Sequence, residues 1–83
     1  MKTKIMAIAI QEKHEKVPAI QIILSEYNEI IKTRLGMSNA LECCKDNGLI
    51  ILQLKCTDET ASAMAEKLET IKDVFVSVMD LKV

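Results

Sequence analysis

A chain of 83 residues has room for one domain, expected to span residues 1–83, and a domain this small hides too modest a share of its surface to be generously stable by itself. Eleven Lys and Arg nearly balance twelve Asp and Glu, and one Tyr, one Phe and no Trp supply neither a basic stripe nor a stacking platform, which argues against direct nucleic-acid binding. The apolar run after Met1-Lys2-Thr3-Lys4 ends at Gln11, too short for a membrane span and without a small-residue cleavage site behind it, and three cysteines fit no secreted disulfide framework, so a cytoplasmic protein with free thiols is expected.

Lys4-Ile5-Met6-Ala7-Ile8-Ala9-Ile10 is apolar on both alternating faces, as a central strand covered above and below would be. Gln11 to Lys16 reads as a polar connection, and Pro18 suits a first helical turn, where its missing N–H has no partner to lose. Val17, Ile20, Ile23, Leu24 and Tyr27 then share one helical face, with Asn28 placed to end the helix in a left-handed conformation. From Glu29 the period changes to two: Ile31, Thr33, Leu35 and Met37 alternate with Lys32, Arg34 and Gly36, an edge or half-covered strand.

Ser38 to Gly48 supports two readings. Asn39 with Glu42 resembles a capping box that Gly48 would stop, giving a loop with a helical turn; alternatively Asn47-Gly48 is a tight hairpin turn reached by a strand running through both Cys43 and Cys44. The first is favoured. Leu49 to Leu54 is apolar on both faces, a second central strand. Thr57 or Asp58 can cap a helix whose buried stripe is Ala61, Met64, Ala65, Leu68 and Ile71, and Val74 to Val83 reads as a last edge strand.

Strand, helix, strand, strand, helix, strand packs most simply as a split βαβ, ferredoxin-like α+β sandwich: a four-stranded antiparallel sheet with two helices on one face. The first and third runs, which read as central, are the central strands of that fold. At this point the chain resembles the regulator family of the iron-only hydrogenase system, ACT-like domains similar in fold to the C-terminal domain of the nickel-responsive repressor. Arg34-Leu35-Gly36-Met37, Ile50-Ile51-Leu52-Gln53-Leu54 with Thr57-Asp58, Ala63-Met64-Ala65-Glu66-Lys67-Leu68 and Ile71-Lys72-Asp73-Val74-Phe75-Val76 carry the resemblance. This chain has Ser38 where the family usually has Pro, Asp73 where relatives often place Gly, and a longer link from Asn39 to Gly48 that looks like an insertion. What the resemblance implies is an ACT-like regulatory domain in an iron-only hydrogenase setting.

No Ser/His/Asp arrangement and no glycine-rich phosphate loop is present, so no catalytic residue and no enzyme activity is expected. Neighbouring cysteines diverge on a strand or a helix, CxxC spacing is absent, and nothing fixes His14, in the first loop, near any cysteine, so no metal site and no cofactor is expected within one chain. The alternative function is an oligomeric metal or redox sensor using Cys43, Cys44 or Cys56, the last of which reads as core-packed. The resemblance to ACT domains implies an amino-acid site only where a glycine loop follows the first strand, and Gln11 to Pro18 has none. Lys32 and Arg34 are candidates for an anionic partner, or solvated charges that guard an edge strand.

Helices on one face can bury only one alternating set, yet Ile5, Ala7 and Ala9 oppose Met6, Ile8 and Ile10, and Leu49 and Ile51 oppose Ile50, Leu52 and Leu54. A homo-oligomer, dimer or tetramer, joined through the open sheet face is the expected cover.

Overall fold

The structure, a computed structural model, describes residues 1–82, with His14 described by its backbone alone. Its elements are β1 (Lys2–Ile10), α1 (Lys13–Glu26), one 3-10 turn (Asn28–Ile30), β2 (Ile31–Ser38), β3 (Gly48–Cys56), α2 (Asp58–Glu69) and β4 (Val74–Asp80). The strands form one antiparallel sheet in the order β2-β3-β1-β4, so the two runs apolar on both faces are the two central strands. The expected βαββαβ sandwich is the observed fold.

Register sorts the strands into two faces. Met6, Ile8 and Ile10 of β1 stand beside Leu52, Ile50 and Gly48 of β3 and Val78, Val76 and Val74 of β4. This set meets Ile20 and Leu24 of α1 and Ala61, Met64 and Leu68 of α2 in a single core, which Cys56 and Leu54 complete. Burying each such Leu, Ile or Met side chain contributes about 1.5–3 kcal/mol before entropy is charged against it. The buried stripe expected of the second helix is observed, with Ala65 and Ile71 partly buried at its margin. Thr57 caps that helix, its Oγ1 accepting from the Thr60 N–H at 3.3 Å, and Asp58 and Glu59 place negative charge in the first turn.

Three local expectations need correction. The first helix begins at Lys13, not near Pro18, which lies inside it, and His14 is helical in backbone and not in a loop. Tertiary contacts supply what local sequence does not: the Lys13 N–H donates to the Asp46 carbonyl at 2.6 Å, Glu12 turns the chain with a φ of 52°, and the Lys13 stem lies on Gly48. A Cβ at Gly48 would come within 2.7 Å of Lys13 Cδ, so the glycine permits this close approach. Asn28 does not end the helix in a left-handed conformation; the helix ends at Tyr27, whose φ of −108° is not left-handed, and Asn28 opens the 3-10 turn.

Between β2 and β3, residues 39–47 form bends and a turn, with neither a helical turn nor a strand through the cysteines. Asn47 is buried and holds this loop from within: its Nδ2 donates to the Leu41 and Cys44 carbonyls at 2.9 and 2.6 Å, and its Oδ1 accepts from the Leu41 N–H at 2.8 Å. The fourth strand ends at Asp80; the expected end at Val83 lies outside the described residues.

Candidate functional site

Opposite the helices, the sheet presents Ile5, Ala7 and Ala9 from β1, Leu49 and Ile51 from β3, Leu35 and Met37 from β2, and Phe75 and Met79 from β4, all in lateral register. Leu35, Phe75 and Met79 are 56, 53 and 56% exposed, and no described helix covers them. Thr33, Gln53, Thr3 and Lys55 make the other end of the same face polar, so apolar side chains concentrate towards the end where β1 leaves for α1. The alternation read in β1 and β3 therefore does place one apolar set in the core and a second on an open surface.

Lys4 is the exception on the covered face. It occupies the same side of β1 as Met6, and its side chain is 4% exposed, yet it carries an ammonium group. Two carboxylates meet that charge: Asp58 at the start of α2, 2.5 Å away, and Asp80, its direct cross-strand partner on β4. Lys2 Nζ joins them from the surface, 3.2 Å from Asp58 and 3.4 Å from Asp80. Hydrogen bonding to Asp58, then to Asp80, pushes the Lys4 ammonium up to about 12. The same bonds from Lys4 hold both carboxyls below the usual carboxylate range. A charge held this firmly is a poor proton donor, so the cluster closes an edge of the core without offering acid–base chemistry. Strand periodicity alone would have put Lys4 on the core face; its partner Asp80 is too distant in sequence for any local pattern to reveal.

Lys32 and Arg34 line a hollow of about 220 Å³ with Leu24, Ser25 and Asn28, beside the C-terminal end of α1. Carbonyl groups and the negative end of the helix dipole oppose an anion there. Lys32 Nζ instead lies 3.4 Å from the Glu29 carbonyl, and β2 carries a bulge between Ile31 and Thr33, both devices that protect an edge strand.

The cysteines separate into two kinds. Cys56 is in the core, and burial pushes its thiol up, which makes it a weak nucleophile. Cys43 and Cys44 are exposed, and their sulfurs lie 2.8 Å apart. Divergence of adjacent side chains, valid for a strand or helix, fails in the bends of this loop, and the two thiols converge. Among the described residues no group of three or more His, Cys, Asp and Glu could hold a metal ion, and no helix is long and apolar enough to cross a membrane.

The family model for TM1266-like proteins, described as "Iron-only hydrogenase system regulator, putative", matches residues 2–78. Among solved structures the chain is similar to uncharacterized protein TM1266 from Thermotoga maritima, with 25% identity over 98% of each chain and a TM-score of 0.84. No curated protein matches.

Proposed function

The chain belongs to the TM1266-like family, and from that membership we propose that it is a non-catalytic, cytoplasmic regulatory or binding subunit of the iron-only hydrogenase system, working as a homo-oligomer joined through the open sheet face. The observation that supports this reading is the apolar surface crossing all four strands, from Leu35 through Ile51 and Ala7 to the neighbourhood of Phe75 and Met79. Covering apolar surface yields about 25 cal/mol per Å² before the costs of association.

A second copy suits this surface because the face is apolar at one end and polar at the other, with Lys55 the only charged strand residue on it among the described residues. Two identical sheets can meet about a two-fold axis without opposing rows of like charge. A regulatory role fits the lack of a catalytic constellation among the described residues, and the two-residue link Gln11-Glu12 between β1 and α1 contains no glycine to admit an amino acid in the ACT manner.

Sedimentation of the purified chain at micromolar concentration is the direct test, with a dimer or tetramer expected; a stable, folded monomer would overturn the assembly. For the regulatory role, the chromosomal gene is replaced by an Ile51→Glu copy. Hydrogenase activity in the cell should change as it does on deletion, while the purified wild-type protein shows no turnover of its own. Unchanged hydrogenase activity in the deletion strain would sink the regulatory reading.

A further inference from the structure

We propose that Cys43 and Cys44 form a reversible dithiol–disulfide site, oxidised by peroxide, whose closure releases the β2–β3 loop from the start of α1. The placement of the sulfurs, 2.8 Å apart and both exposed to solvent, satisfies the first need of such a site, which is mutual reach with oxidant access. This site stands apart from the open sheet face, and the two proposals can fail independently.

The loop is built around the second of the two residues. Asn47 Nδ2 donates to the Cys44 carbonyl at 2.6 Å, and the Glu12 backbone N–H is directed at the Cys44 sulfur. Glu12 is the left-handed residue from which α1 starts, and the next residue, Lys13, donates its N–H to Asp46 in the same loop. Cys44 is thus tied at its carbonyl to the loop's interior and at its sulfur to the helix start. Its hydrogen bond with Cys43, then burial, raise the Cys44 thiol above the ordinary cysteine value. Because Cys44 is engaged at both its carbonyl and its sulfur, Cys43 is the sulfur assigned to meet the oxidant.

The Cys43 thiolate attacks one peroxide oxygen, the O–O bond breaks, and the departing hydroxide takes up a proton as water. Cys43 is now a sulfenic acid. Cys44 then loses its proton and its sulfur attacks that of Cys43; the S–O bond breaks and the hydroxide leaves as a second water. Two electrons pass from the dithiol to peroxide, and an external thiol returns them in the reverse exchange.

Adjacent Cα atoms are about 3.8 Å apart across a trans peptide, whereas disulfides ordinarily bridge Cα atoms roughly 4.4–6.8 Å apart. A bond between neighbours therefore closes a tight ring, and drawing the sulfurs together from 2.8 Å to bonding distance turns the 43–44 peptide within it, which moves the Cys44 carbonyl and sulfur off Asn47 and Glu12. A bond formed under such a demand is readily reduced, as a regulatory disulfide must be.

The test treats the fully reduced chain, freed of reductant, with one equivalent of hydrogen peroxide. Expected are a mass lower by two hydrogen atoms, a fall in titratable thiols from three to one, and a peptide map placing the bond between Cys43 and Cys44, all reversed by dithiothreitol. Cys43→Ser and Cys44→Ser should each abolish the bond, and Cys56→Ser should leave it. In the oxidised form the amides of Lys13 and Leu41 should exchange with deuterium faster than in the reduced form. A sulfinic acid or a disulfide-linked dimer as the main product would overturn the site, and unchanged exchange at Lys13 and Leu41 would overturn its coupling to the helix.

Discussion

Lys4 and Asp80 stand directly opposite one another on β1 and β4 and join their charges at the edge of the core, with Asp58 completing the pair from the start of α2. Because the ammonium is buried and both carboxylates are half exposed, the two sides of this contact are unequal: the lysine depends on the acids more than they depend on it.

Stability should therefore respond to pH at both ends. Asp58 and Asp80 have lowered folded-state values, so their contribution is complete above the ordinary carboxylate value, about 4, and is lost as pH falls through the lower folded values. Lys4 is raised, so its contribution is complete below the ordinary lysine value, about 10.4, and is lost as pH rises through about 12. The double variant Asp58→Asn/Asp80→Asn should melt lower at neutral pH and lose less on acidification than wild type. Lys4→Met, which removes the buried charge, should melt closer to wild type than the double variant does. Thermal melts across pH check both; an unchanged acid limb in the double variant would contradict the assignment.

Ile51 stands beside Ala7 on β1 and Leu35 on β2, in the middle of the open face. Ile51→Glu should dissociate the oligomer in sedimentation velocity while leaving the far-ultraviolet circular dichroism of the fold intact.

Leu52, one residue further along the same strand, points the other way and is fully buried. Leu52→Ala should cost about 2–5 kcal/mol in urea unfolding, as other cavity-forming core substitutions do. Opposite responses of neighbours, loss of assembly at 51 and loss of stability at 52, would be a direct reading of strand register.

Asp73 sits at φ 64° just before β4, while its carbonyl accepts from the Gln11 N–H at 3.0 Å. Asp73→Gly should remove left-handed strain and raise stability by up to about 1 kcal/mol, part of the gain being offset by glycine's greater freedom when unfolded. A lower melting temperature would show that the Asp side chain supports the turn.

The fold was legible because periodicity changes coincide with element boundaries: Ile8 and Ile50 announce central strands, and Met64 and Leu68 announce a buried helix face. The open face was legible for the same reason, since Ile5, Ala7 and Ile51 had no helix left to cover them. What could not be read depends on contacts between distant residues. The first turn of α1 rests on Lys13 meeting Asp46 and Gly48, more than thirty residues away. The convergence of Cys43 and Cys44 follows from bends fixed by the buried side chain of Asn47, which local propensity would have assigned to an exposed turn.

The pairing of β1 with β4 also orders events in time. Residues 4–10 must wait for residues 74–80 before their second edge is filled. During synthesis β1 can meet β3 early, but one side of a strand apolar on both faces stays unpaired until residues 74–80 have emerged. Folding through such a high-contact-order closure is slow, and the nascent chain is most prone to misassociate in that interval. Expression at lower temperature, or with a chaperone present, should raise the soluble yield more than any change to the helices.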